Sequence, residues 1–536
     1  MKQNVLAILF TSLLLGGCAD DGATGRNGVD GQNGSNGTNG QSGTNGTNGQ
    51  STLVKQLNLS LGDQHCLLGG LQIDSGLDQN SNNTLDSSEI KQTSQLCRPH
   101  SFASVGVALP YQILRNDLIN GARPNTTMEI RNGGFGSDMV AHPTQPMQFY
   151  AVTDRGPNAD YVGELGAGKK FPVEDYVPRI GLFEIQPSGG IRLLKTILLQ
   201  RPDGTPINGL PNPSGLGATN EIPYRANGEV LRVNPDLPYD PVTNPVKLDQ
   251  YGLDSEGLVA MKDGTFWVSD EYGPHIVHYD ATGKEIGRIN PFSSDNRTQL
   301  NLPAEFAKRR ANRGMEGLTV TPDQKTLVGI MQSTMSLPTG SVNKQTITRI
   351  VTIELTTGKI GQYLYRQEIA ENSNSAIVAL DNHSFLVLER DGKFYKDDAN
   401  AMKHVYKIDL RQGTNLEAVT ETATLKQDPL LGLTVSGKTL EQVTLDSGWE
   451  GLAALNIRPV SKTLVVDMVA QVNYPHDKME GLWLMSNHRL GVINDDDFAT
   501  WTKNNLIEQK YLDQAQTIID SNTLYVIDDL DLNPLP

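Results

Sequence analysis

The chain has 536 residues, with 45 Lys+Arg against 61 Asp+Glu and a formal net charge of −16. At about 100–200 residues per domain this length allows several domains, and the acidic balance excludes the cationic footprint of a nucleic-acid binder. The 53 glycines and 28 prolines beside 37% hydrophobic residues point to short strands and turns, and exclude a helical bundle, collagen or wholesale disorder.

In chain order, Val5 to Leu15 is an apolar run too short to span a bilayer, so residues 1–17 read as a signal peptide. It ends in Leu15-Gly16-Gly17-Cys18, which resembles the bacterial lipobox; the alternative is an ordinary secretory leader. The lipobox implies lipidation of Cys18 and stable tethering to a membrane, because several acyl chains hold where one is marginal. The absence of Asp at position 19 resembles Gram-negative sorting to the outer membrane, so a lipid-anchored envelope protein is expected. Glycine then recurs at every third position from Gly22 to Gly49, the period of a triple helix. No proline presets the extended chain, so residues 18–50 read as a polar spacer, with a trimeric stalk as the alternative.

Residues 51–101 form a small module. With Cys18 lipidated, Cys66 and Cys97 are an even pair in an oxidising compartment, and a disulfide is expected. The pair brackets Asp78, Asn80, Asn82, Thr84, Asp86 and Glu89, spaced as positions 1, 3, 5, 7, 9 and 12 of an EF-hand loop. Asn83 stands where such loops have glycine, the next-best residue for positive φ. Weak calcium binding is expected; a hydrated turn without an ion is the alternative. The block resembles a small structural module of bacterial envelope proteins.

From residue 102 to 536 one phrase recurs: a β-branched or aromatic strand, an acidic or polar cluster, a turn and a second strand. Examples start at Gln148, Thr265, Thr326 and Ser384, with further strands at Thr463, Arg489 and Thr523. Glu-Gly-Leu recurs at Glu256, Glu316, Glu450 and Glu480. Strand repeats of this length without helical patterns predict an all-β fold, a β-propeller of about six blades. A single β-sandwich is the alternative, though long for one. Nine prolines between Gln200 and Gln250 mark an ordered or lid-like insertion, and residues 411–446 a second, polar one.

Six motifs in order carry a resemblance: Asp154-Arg155-Gly156-Pro157-Asn158-Ala159-Asp160, Asp254-Ser255-Glu256-Gly257-Leu258, Ser269-Asp270-Glu271-Tyr272-Gly273-Pro274, Asn312-Arg313-Gly314-Met315-Glu316-Gly317-Leu318, Leu388-Glu389-Arg390-Asp391-Gly392 and Asn494-Asp495-Asp496-Asp497-Phe498. They resemble the phytase-like, "esterase-like activity of phytase", domain. The resemblance implies a propeller of envelope and secreted proteins, and its name implies ester or phosphoester hydrolysis.

Independently of that resemblance, converging repeats would crowd Glu256, Asp270, Glu271, Glu316, Glu389, Glu450, Glu480, Asp495 and Asp496 at one channel mouth. Carboxylates that close raise one another's pKa unless a cation sits among them, and oxygen ligands favour Ca2+ or Mg2+. Glu256, Glu316, Asp270 and Glu271 are therefore the candidate catalytic residues, and Glu450, Glu480 and Asp495 the candidate calcium ligands. Arg155, Arg179, Arg313, Arg390 and Lys478 are the candidate substrate-binding cations, since guanidinium forks suit phosphate oxygens. The leading expectation is calcium-assisted hydrolysis of a small phosphate ester, or of a carboxylic ester. A non-catalytic calcium-stabilised binding propeller and a lactonase-like propeller are the alternatives. In the structural alternative for Glu-Gly-Leu, Glu accepts backbone N–H bonds, Gly supplies a turn and Arg forms a salt-bridge ring. No Gly-x-Ser-x-Gly elbow, P-loop or His-Glu-x-x-His is present.

Overall fold

Thr326–Met331 carries Leu327 and Met331 on one face and Val328 and Ile330 on the other, so its sheet must be covered on both sides. In the computed structural model each such sheet is one blade between two others. The structure describes residues 35, 37–38, 40–44 and 49–535; the expected leader over residues 1–17, Cys18 and most of the glycine-repeat segment lie outside the described residues.

Five sheets of at least four strands each follow one another among the described residues. Their innermost strands are Asp138–Ala141, Ser255–Ala260, Met315–Val320, Ser373–Ala379 and Gly481–Ser486, and each packs on the next around a ring. The last blade is closed by the first strand of the domain: Val107 and Ala108 pair with Leu524 and Thr523. The fold is thus a β-propeller, as expected from the repeats, but with five blades rather than about six. The strand beginning near Thr463 is the outer strand of the fourth blade, and those near Arg489 and Thr523 both belong to the fifth.

Five apolar clusters fill the five seams. Leu258 and Val268 of the second blade pack with Val152 and Ile180 of the first, while Val259 and Trp267 pack with Leu318 and Leu327 of the third. Val328 and Ile330 meet Ile377 and Phe385 in the next seam, and Leu386 and Leu388 meet Leu482 and Leu490 in the fourth. Phe149 and Phe183 meet Trp483 and Val526 where the ring closes. Each buried aliphatic side chain contributes about 1.5–3 kcal/mol, so the seams hold the ring together.

The glycine of Glu-Gly-Leu has a packing cause. A Cβ on Gly257 would lie 2.5 Å from the Leu318 nitrogen, one on Gly317 2.8 Å from the Ala376 carbonyl carbon, and one on Gly481 2.8 Å from the Met139 nitrogen. Each glycine therefore lets the neighbouring inner strand close against it. Glu450 is a correction: its Glu-Gly-Leu lies in the helix Leu440–Ala453, part of the insertion between the third and outer strands of the fourth blade.

The N-terminal module is a three-stranded antiparallel sheet of Thr52–Leu59, Gly70–Leu77 and Ile90–Cys97. The Cys66–Cys97 disulfide is present, with the Cα atoms 5.1 Å apart. In the loop Asp78 accepts the N–H groups of Asn82 and Asn83, and Glu89 those of Gln79 and Asp86. Asn83 sits at φ 60°.

Candidate functional site

In every blade the inner strand starts at one face of the ring and the second strand returns to it. Residues just before or at the start of first strands, and just after second strands, therefore converge there. They line a cavity of about 510 Å³, within the range of small-molecule sites. Glu256, Glu316 and Glu480 come from the starts of three inner strands. Asp154 and Arg155, Glu271, Gln332 and Arg390 come from the ends of second strands. Arg313 and Lys478 line the same cavity.

The cations are held differently. Arg155 is buried: its Nη1 lies 3.2 Å from Asp254, 3.2 Å from Glu221 and 3.1 Å from the Tyr272 hydroxyl. Arg390 pairs with Glu480. Lys478 bridges Asp495 at 2.9 Å and Asp497 at 2.6 Å. Arg313 differs: its Nη1 is buried with no hydrogen-bond partner among the described residues. Burial, with Arg310 and Arg390 nearby, lowers its pKa, so an anion arriving in the cavity would relieve it.

The carboxylates crowd one another. Ligand oxygens of Asp154, Asp254 and Glu256 lie within 4.8 Å of one another, as do those of Asp154, Asp495 and Asp497. Burial, then the Glu316 and Glu271 charges, pushes Glu256 well above the usual carboxylate range. Burial and Glu480 do the same for Glu316, whose Oε2 has no hydrogen-bond partner among the described residues. Burial lifts Asp254 to about 6 and Glu271 to about 7, although Arg155 opposes both shifts. Glu271 also accepts a 2.7 Å hydrogen bond from Gln332. For Asp497 burial would raise the pKa, but Lys478 and Lys510 outweigh it and hold the group ionised.

The cluster fits a hard cation. Its donors are all oxygens, and Asp254 is buried with Oδ1 lacking a hydrogen-bond partner among the described residues. Both groups of three carboxylates that close to this distance among the described residues contain Asp154; in the EF-hand-like loop Asp78 and Glu89 accept backbone N–H groups and Asp86 accepts the side-chain amides of Asn80 and Asn82.

Other sequence candidates lie elsewhere. Asp270 stands behind the wall, accepting the N–H groups of Asp254 and Gly273 at 2.8 and 2.7 Å. Asp495 meets the cavity through Lys478 and Asp154 rather than lining it. Glu389 alternates away from Arg390 on the same strand and binds the Tyr365 hydroxyl at 2.9 Å and Lys462 at 2.6 Å. Asp496 accepts the N–H groups of Gly134 and Phe498. Arg179 does not line the cavity: it donates to the Val177 carbonyl and lies over the Tyr176 ring. Glu450 is exposed on its helix, outside the cavity.

Asp154, Asp254, Asp497, Gln332 and Glu221 were not singled out as site residues from sequence. Four of them stand at the ends of strands in the recurrent phrase or within the six motifs, which is the signal that could have found them. Glu221 carries no such signal. It comes from the proline-rich insertion, whose Ile222–Arg225 strand pairs in parallel with Gly166–Phe171 and so borders the cavity.

Fold and site together define a five-bladed propeller whose channel mouth is lined by buried carboxylates and arginines. The family described as "phytase-like: esterase-like activity of phytase" matches residues 130–498, and the chain belongs to that family. A family described as a domain of unknown function, DUF7151, matches residues 52–97. An uncharacterized secreted protein of Arthroderma benhamiae is 30% identical over 256 residues, covering 38% of this chain and 45% of the relative. The chain thus spans less than half the length of that curated relative. Virginiamycin B lyase from Staphylococcus aureus is similar in structure at 9% identity and a TM-score of 0.23, covering 83% of this chain and 97% of that one. A gluconolactonase from Xanthomonas campestris, XC5397, is similar at 13% identity and a TM-score of 0.21, covering 73% and 96%. At those scores the propeller assignment rests on the sheet topology itself. No helix among the described residues is long and apolar enough to cross a membrane.

Proposed function

We propose that the cavity hydrolyses a small anionic ester, a phosphate ester before a carboxylic one, at the cell envelope. The observation that carries this reading is one cavity holding both Arg313, a cation with a buried unpartnered Nη1, and Glu271, a carboxyl poised at about 7. Arg313 anchors the anionic oxygens of the ester through charge-assisted hydrogen bonds. Glu271 in its ionised form takes a proton from the attacking water as the water oxygen bonds to phosphorus. The bond from phosphorus to the ester oxygen breaks, and Glu316, kept protonated by burial and Glu480, gives its proton to the leaving alkoxide. The products are phosphate and the free alcohol.

Asp154, Asp254 and Glu256 are the residues that would hold calcium, which supplies polarisation of a phosphoryl oxygen when bound. The lipid anchor at Cys18 and the outer-membrane address expected from the leader belong to this reading. The binding-only alternative is favoured by the ion pairs Arg155–Asp254, Arg390–Glu480 and Lys478–Asp495, which satisfy much of the wall without substrate.

Phosphate release by the purified full chain from inositol hexakisphosphate and p-nitrophenyl phosphate separates the two, measured with calcium and with chelator. Calcium-dependent release, lost in Asp154→Asn while the variant stays folded, is the expected result. No release from any ester, with calcium still raising Tm, refutes the hydrolase and leaves a calcium-stabilised binding propeller.

A further inference from the structure

The ring is closed by little backbone. Val107 and Ala108 form two register pairs with the Thr523–Ile527 strand, extended only by Val526 N–H to the Phe102 carbonyl and Leu109 N–H to the Asn522 carbonyl. The chain runs on from Ala108 in the fifth blade to Asp138 in the first, so the ring opens when the short strand Val107–Ala108 peels from Thr523–Ile527 and the first and last blades part. Something else is packed into this closing seam. Leu67 and Leu68 of the N-terminal module are 1% and 2% exposed and belong to the same apolar cluster as Phe149, Trp483, Leu524 and Val526. Leu68 also lies against Gly189, in the turn that leads to the outer strand of the first blade.

The loop carrying these leucines is held at both ends. Gly62 donates to the Leu67 carbonyl and packs on Met147, in the turn between the first two strands of the first blade. On the fifth blade, Arg489 donates to the Asp63 carbonyl at 2.8 Å and His488 to the Gln64 carbonyl at 3.0 Å. The Cys66–Cys97 disulfide ties the loop, at the residue next to Leu67, to the last strand of the module sheet. The turns at Met147 and His488 join a first strand to a second and the turn at Gly189 joins a third strand to an outer one, so all three lie at the ring face opposite the cavity.

We propose that this module is a clasp: it plugs the closing seam of the propeller with Leu67 and Leu68, spans the first and fifth blades, and leaves the cavity mouth unobstructed. The disulfide fixes the plug by tying its loop to the strand Ile90–Cys97 of the module, and the plug holds the seam by packing and by the hydrogen bonds from Arg489 and His488. This gives the module a role independent of what the cavity does.

Hydrogen exchange of the full chain tests it, in the parent and in Leu68→Ala and Cys97→Ser variants. Removing a buried Leu or freeing its loop is expected to accelerate exchange in Thr523–Ile527 by more than about tenfold, while Thr326–Met331 on the far side of the ring is unchanged. Unchanged exchange at 523–527 overturns the clasp, and equal acceleration in all five blades overturns its restriction to the seam. Should Leu68→Ala fail to accumulate, His488→Ala removes the tie to Gln64, together with the ring's contacts to Ser486 and Asn487 in its own turn, and must still loosen 523–527 selectively. Phosphate release from p-nitrophenyl phosphate, read alongside, reports separately on the cavity.

Discussion

Glu271→Gln is the perturbation that most directly probes the electrostatics of the cavity. The Glu271 side chain is 5% exposed, and burial lifts its carboxyl from 4.5 to about 7 even against the pull of Arg155, Arg313 and Lys478. The folded protein therefore binds this proton more tightly than the unfolded chain does, and stability falls as pH rises from about 4.5 to about 7. Above that window the ionised group costs about 3 kcal/mol, from about 1.4 kcal/mol per pKa unit. Glutamine keeps an oxygen to accept the Gln332 hydrogen bond and removes the charge. In urea denaturation with chelator, Glu271→Gln is expected to be more stable than the parent by about 1–3 kcal/mol at pH 8.5 and to match it near pH 4.5. Its turnover of p-nitrophenyl phosphate should fall by at least about a hundredfold, the usual range for loss of a general base. A variant equally or less stable than the parent at pH 8.5 would refute the electrostatic argument. Retained turnover would remove Glu271 from the chemistry.

Arg313→Ala should raise KM for a phosphate ester by about ten- to a hundredfold, the worth of a charge-assisted hydrogen bond, whereas Arg179→Ala, whose side chain lies on Tyr176, should leave KM unchanged; steady-state kinetics of both decide it. Trp501, 38% exposed, is the one aromatic ring among the described residues lining the cavity. Trp501→Ala is expected to raise KM for an aryl phosphate by about tenfold with kcat unchanged, from the stacking it loses, and to leave that for glycerol phosphate unaffected. Glu450→Ala, at an exposed position of the helix Leu440–Ala453, should alter neither turnover nor the rise in Tm with calcium, as calorimetry and the release assay would read.

Much of the architecture is legible in the order of residues. Alternating strands of near-continuous apolar residues demanded sheets covered on both faces, and their repetition demanded a ring of them. The order of six polar motifs marked the ends of strands, which is where a propeller gathers its channel. The cysteine pair and the expected disulfide were legible because only three cysteines exist and one, Cys18, ends a segment that resembles a lipobox. Burial and strand position then sorted side chains that composition treats alike. Glu389 and Arg390 are adjacent, but strand alternation sends Arg390 to the cavity and Glu389 into a seam with Tyr365 and Lys462.

Tertiary structure alone decided the blade count, because a repeated tripeptide reads the same on an inner strand and on a helix. Glu450-Gly451-Leu452 sits in the helix Leu440–Ala453, where no neighbouring strand requires its glycine. At Gly257, Gly317 and Gly481 the next inner strand comes within 2.8 Å of the missing Cβ. It also decided which acids share one space: Asp154, Asp254 and Glu256 are spread over a hundred residues of chain, yet their oxygens lie within 4.8 Å of one another. The contact is set by the rotation from the first blade to the second. Linear spacing does not encode that rotation, since a strand's period fixes which face a side chain takes and not which distant strand end it meets.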